Sequence, residues 1–105
     1  MKIIESTADL SKRDLYELTL SPKIKKMGEA VGLVLQVSAY AIYEDQDTEI
    51  LSIRGDDSTV YATNSATATR EFRRILDLME GEVFNVEIMK GTSKAGREFI
   101  TLALA

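Results

Sequence analysis

The sequence predicts a mainly β protein folded as a small closed barrel, with a single helix inserted late in the chain. Three observations lead there. Val31–Tyr43, VGLVLQVSAYAIY, alternates over a stretch that is long for one strand. Four shorter strand-like segments follow it, separated by turn residues. One amphipathic helical stripe falls between the third and fourth of these five strands. A strand as long as the first curls and serves two sheets at once, with Gly32 easing the bend near its start.

Composition bounds the function classes. At 105 residues the chain is one domain, and 45% apolar residues supply one core without staples. Cysteine and histidine are both absent. Their absence removes disulfides, thiolate metal sites, the usual general base and every histidine-based triad. No apolar run reaches a membrane span, and Met1–Leu10 is too polar for a signal peptide. The expectation is a soluble cytoplasmic protein with no membrane partner. Thirteen basic and seventeen acidic residues leave a net charge of −4, so a polyanion partner requires the positive charges to gather on one surface.

Residues 1–27 read as an N-terminal helix with a basic linker, and 28–105 as the barrel, within one domain. Met1–Leu10 carries little signal. Ser11-Lys12-Arg13-Asp14 has the pattern of an N-cap with an acid at the third helical position. Leu15 and Leu18, with Tyr16, give the short helix that follows an apolar side, and Ser21-Pro22 stops it. Lys23-Ile24-Lys25-Lys26-Met27 is a compact basic patch. It reads either as a solvated link or as an arm in which Lys25 and Lys26 touch phosphates at the barrel edge.

In the long strand, period two assigns Val31, Leu33, Leu35, Val37, Ala39, Ala41 and Tyr43 to the buried face and Gln36, Ser38 and Tyr40 to the other. Glu44-Asp45-Gln46-Asp47 lacks calcium-loop spacing and reads as a hairpin turn. Glu49–Arg54 buries Leu51 and Ile53, leaving Ser52 and Arg54 outward, and Gly55-Asp56-Asp57-Ser58 turns the chain. Thr59–Thr63 puts Val60 and Ala62 inward, Tyr61 and Thr63 outward. Asn64-Ser65 caps a helix whose stripe is Ala68, Phe72, Ile75, Leu76 and Met79, ended by Gly81. Glu82–Lys90 buries Phe84, Val86 and Ile88. After the turn Gly91–Gly96, Arg97–Leu104 buries Ile100, Leu102 and Leu104 and sends Arg97, Phe99 and Thr101 outward. Three strands, a helix, then two strands is the order of the five-stranded OB-type barrel. An open sheet with one helix packed on it has the same order; the long first strand favours the barrel.

The outward residues so placed pair rings with cations and hydroxyls: Tyr40, Arg54, Tyr61, Thr63, Lys90, Lys94, Arg97 and Phe99, beside Lys25 and Lys26. A single-strand nucleic-acid groove has this composition, because bases stack on rings and cations take phosphates. Each member also has a plainer reading. Tyr40 and Tyr61 serve as cross-strand partners, Phe99 enters the core if a bulge shifts the last strand, and Arg54 pairs with nearby acids. The loop Gly91–Gly96 is not a Walker loop, since its lysine is not followed by Ser or Thr and a strand comes next. No carboxylate pair is set against an apolar pocket, so neither catalysis, a cofactor nor a metal is expected.

Val60-Tyr61-Ala62-Thr63-Asn64-Ser65, Arg70-Glu71-Phe72 and Gly91–Thr101 resemble small single-stranded DNA-binding proteins of bacteriophages and mobile elements of Gram-positive bacteria, as does the acidic hairpin after Ala39–Tyr43. The resemblance covers Ile24 to the C-terminus. It implies an OB barrel that coats single strands in replication or recombination inside a bacterial host, without sequence preference. It falls on Lys94, Arg97, Phe99, Tyr61 and Thr63. The chain departs from the larger bacterial relatives by ending on strand residues at Ala105, which puts recruitment of replication or recombination proteins by an acidic tail in doubt. A barrel edge or the N-terminal helix could pair chains into a homo-oligomer. The rival reading is a protein-interaction module, such as a phage-encoded inhibitor or adaptor of a host protein.

Overall fold

The computed structural model describes Met1–Ala105. In chain order it comprises β1 (Lys2–Ser6), α1 (Lys12–Thr19), β2 (Lys25–Lys26), a single 3₁₀ turn (Met27–Glu29), β3 (Val34–Asp45), β4 (Thr48–Gly55), β5 (Val60–Thr63), α2 (Ala66–Met79), β6 (Asn85–Thr92) and β7 (Glu98–Leu104). It is mainly β, a sheet curled into a partly closed barrel, with two helices. Seven strands replace the five expected, because residues before the barrel contribute β1 and β2. Neither is legible locally. β1 is held by antiparallel pairing to β3, and β2 by parallel pairing to β5.

β3 does serve two sheets. From Val37 to Asp45 it pairs with β4; on its other side, Val34–Gln36 pair with β6 and Ala41–Glu44 with β1. Between these halves the register against β4 slips by one residue at Ser38, since Val37 faces Gly55 and Ala39 faces Arg54. The Ser38 hydroxyl fills this bulge by donating toward the carbonyls of Arg54 and Gly55, each at 3.1 Å. A one-residue bulge swaps the faces of everything beyond it. Leu35 and Val37 therefore point into the barrel, and after the bulge Tyr40 and Ile42 do so instead. Ala39, Ala41 and Tyr43 are buried as period two predicts, but on the opposite face, beneath α1. Val31 and Leu33, expected to be buried, precede the strand and are exposed.

The result is two cores. The barrel interior gathers Met27, Leu35, Ile42, Leu51, Ile53, Val86, Ile88 and Leu102 around Ala68, Phe72 and Ile75 of α2. A smaller cluster outside the sheet packs Leu18 of α1 on Ala39, Ala41, Tyr43 and Val60. The sheet path runs β2-β5-β4-β3-β6-β7 and ends at β2 and β7. The gap between these ends is narrowed by the 3₁₀ turn: a Cβ on Gly28 would lie 3.7 Å from the Ile100 side chain. The Ser65 hydroxyl bridges it too, donating to the Ile100 carbonyl while accepting from the Ala68 N–H as the N-cap of α2. α2 ends as its stripe predicts, with Glu80 and Gly81 in left-handed geometry. No helix is long and apolar enough to cross a membrane.

Candidate nucleic-acid interface

The ten residues singled out from the sequence divide into two groups. Four are drawn inward or engaged. Tyr40 points into the barrel, not outward: the bulge at Ser38 turns its ring edge-on to Phe72, with centroids 5.2 Å apart and planes at 64°. Its hydroxyl reaches a Glu5 carboxylate oxygen at 3.4 Å, and burial first, then the Glu5 charge, raises its pKa above the ordinary tyrosine value. Tyr61 pairs with Ile53 and packs against the same core, so the phase expected for β5 is inverted: Val60, expected inward, sits under α1. Thr63 pairs with Leu51 and its hydroxyl accepts the Ser65 N–H.

Arg54 does face away from the barrel, but α1 lies over it. Its Nη1 donates to Asp14 Oδ1 at 3.0 Å and Glu17 Oε2 at 3.3 Å, while its Nε donates to the Ser38 hydroxyl at 3.2 Å. Its ion-pair partners come from α1, not from the neighbouring turns. The Arg54 hydrogen bond is the largest influence holding the Asp14 carboxyl below its usual range, ahead of the two hydrogen bonds from Ser11.

The remaining six stay accessible. Lys25 and Lys26 are exposed along β2, opposite Tyr61 and Ala62. The β6–β7 hairpin carries the others. Lys90 pairs with Glu98 at 3.4 Å, and Lys94 and Arg97 are exposed at the tip, where the Ser93 hydroxyl and carbonyl tie the turn together. Phe99 stands opposite Gly91 in register, and its ring lies over that glycine: a Cβ there would come within 2.5 Å of the ring. Phe99 thus faces outward, with the glycine as its seat. Gly91 belongs to β6 rather than to the turn. Sequence reasoning passed over Gly91 as a ring seat, although a glycine directly across a hairpin from a phenylalanine is itself a signal of close approach.

Several carboxylates elsewhere are held in surface pairs. Glu71 takes Arg70 and Arg74, with Arg70 the chief cause of its lowered pKa, and Arg73 reaches Glu5 and Glu49. No three Asp or Glu side chains gather as a metal site. What the exposed hairpin can do is present two unpaired cations at its tip and one half-buried ring on its second strand, a surface for a phosphate chain and a planar group. No family model, curated protein or solved structure matches this chain.

Proposed function

We propose that this is a non-catalytic single-stranded DNA-binding protein built on an OB-type barrel. The observation that carries the reading is the β6–β7 hairpin, where Lys94 and Arg97 flank a Phe99 ring seated on Gly91. The order β3, β4, β5, α2, β6, β7 supports the barrel type, with β3 shared between two sheets and α2 closing the interior. Bases stack on Phe99 and phosphates meet Lys94, Arg97 and the Lys25–Lys26 edge. The contacts are to backbone and ring faces, so sequence preference is weak. With so few cations to neutralise phosphates, the salt dependence is shallow and binding at raised salt is weak. Action in phage or mobile-element replication or recombination, in the cytoplasm of a bacterial host, follows from the resemblance of the hairpin and of Val60–Ser65.

The second reading, a protein-interaction module, is favoured by one observation: α1 covers the outer face of β3–β5, so Arg54 is not free for phosphate. Fluorescence anisotropy of labelled oligo-dT at low and moderate salt separates the two. Binding that weakens with salt, that duplex does not displace and that drops in Lys94→Ala/Arg97→Ala supports the DNA reading. Absence of binding at low salt overturns it in favour of a protein partner.

A further inference from the structure

A wide cavity lies away from the hairpin. It is an open groove of about 890 Å³ between α1, the Ser21–Lys25 link and the β4–β5 turn. The volume falls within the ~300–1,000 Å³ typical of ligand clefts. Most of the residues that line it are polar or charged, and it opens to solvent, so it is not an unfilled piece of core. Tyr16 stands at its edge 46% exposed, the largest aromatic surface the protein shows to solvent, and its hydroxyl has no hydrogen-bond partner. Lys23 and Lys25 line the groove without an ion-pair partner.

The local charge is opposite to that of the whole chain. Between Lys12 and Lys26 stand five basic residues and two acids, in a protein of net charge −4. Both acids are already occupied. Asp14 is bound by Arg54, and Glu17 divides its oxygens between Arg13 at 3.3 Å and Arg54 at 3.3 Å. The opposite wall is Ser58, Thr59 and Val60; in the turn just before them Asp57 folds back to accept the Thr59 N–H and Asp56 is exposed. The groove therefore offers free ammonium groups beside a ring whose face is wet.

We infer that this groove is a second contact site for a single strand, taking one base against Tyr16 and the adjoining phosphates on Lys23 and Lys25. The inference rests on the single-stranded DNA reading and extends it. Lys25 belongs both to the groove and to β2, so the site is continuous with the basic edge beside β5. Two separated contacts on one strand bind more tightly than either alone, because the second engages at the effective concentration set by the first.

The test is anisotropy of labelled oligo-dT with the wild type, Tyr16→Ala, Tyr16→Phe, Lys23→Ala and the hairpin variant Lys94→Ala/Arg97→Ala. Melting temperatures of the variants serve as the folding control. Tyr16→Ala is expected to weaken binding about ten-fold and Tyr16→Phe to leave it unchanged, since stacking needs only the ring. Lys23→Ala is expected to reduce the slope of log affinity against log salt by about 0.7. An oligonucleotide carrying 5-iododeoxyuridine is expected to photocrosslink at Tyr16. Wild-type binding that the hairpin variant weakens, while Tyr16→Ala and Lys23→Ala bind as the wild type does, overturns the groove site and leaves the hairpin reading standing. No wild-type binding at low salt overturns both.

Discussion

Asp14 and Arg54 join the two cores of this protein through one carboxylate. Asp14 Oδ1 accepts from Arg54 Nη1 at 3.0 Å, and Asp14 Oδ2 accepts the Ser11 N–H at 3.0 Å while the Ser11 hydroxyl accepts the Asp14 N–H. The same side chain that closes the capping box of α1 also pins α1 to β4. The start of the helix and its docking on the sheet are thereby one event.

Stability should follow the charge of Asp14. Its folded pKa lies below the ordinary value of 3.8, so the native state favours the ionised form. The contribution is complete above that ordinary value and is lost as pH falls through the lowered folded one. Asp14→Asn is expected to lower the urea midpoint at neutral pH. The gap to the wild type should narrow as acid protonates Asp14. A constant gap across the acid range would show that the Arg54 pairing adds nothing beyond the cap.

Leu18 is the apolar anchor of α1, fully buried on Ala39, Ala41, Tyr43 and Val60. Leu18→Ala is expected to destabilise by about 2–5 kcal/mol. Hydrogen exchange should then show the amides of α1 opening ahead of those of α2. Equal loss of protection in both helices would mean that the two cores melt as one unit.

Tyr40 is a core residue, and its variants should behave accordingly. Tyr40→Phe keeps the edge-on contact with Phe72 and is expected to change stability little, whereas Tyr40→Ala is expected to cost about 2–5 kcal/mol. Neither should alter the salt slope of oligonucleotide binding. Burial holds Tyr40 and Tyr43 above the ordinary 10.0. The stability this represents is complete below pH 10 and is lost as pH rises through the raised folded values. Spectrophotometric titration should show two of the four tyrosines ionising late.

Gly91 can be tested through its ring. Gly91→Ala places a methyl where the Phe99 ring now lies, so the ring must swing away. Oligonucleotide affinity is expected to fall to that of Phe99→Ala, while the melting temperature drops by only a few degrees, about what 1 kcal/mol produces in a domain of this size. Unchanged affinity in both variants would remove Phe99 from the interface.

Much of this architecture was legible in the residues. The stripe Ala68, Phe72, Ile75 places α2, because helix burial repeats locally. Gln46 and Asp47, both with positive φ, make the hairpin turn expected of that acidic run. Leu51, Ile53, Val86, Ile88 and Leu102 point where period two sends them. The candidate site was less legible. Lys94, Arg97 and Phe99 stay outward because they lie on a simple hairpin whose phase nothing interrupts. Tyr40 and Tyr61 face the interior against their simple alternation, since a bulge at Ser38 and the entry into β5 after the Gly55–Ser58 turn each change the phase by one residue.

The sequence by itself determined the elements after Val34, their order and most of the barrel interior, because those depend on periodicity and turn chemistry between near neighbours. Only the tertiary structure decided what covers the outer face of the barrel. β1, β2 and the docking of α1 depend on partners far along the chain, such as Arg54 for Asp14 and Tyr43 for Ile3. Two alternating faces of one strand look the same in sequence whether each meets water or another core. Burial on both sides of β3 is therefore a property of the assembled fold.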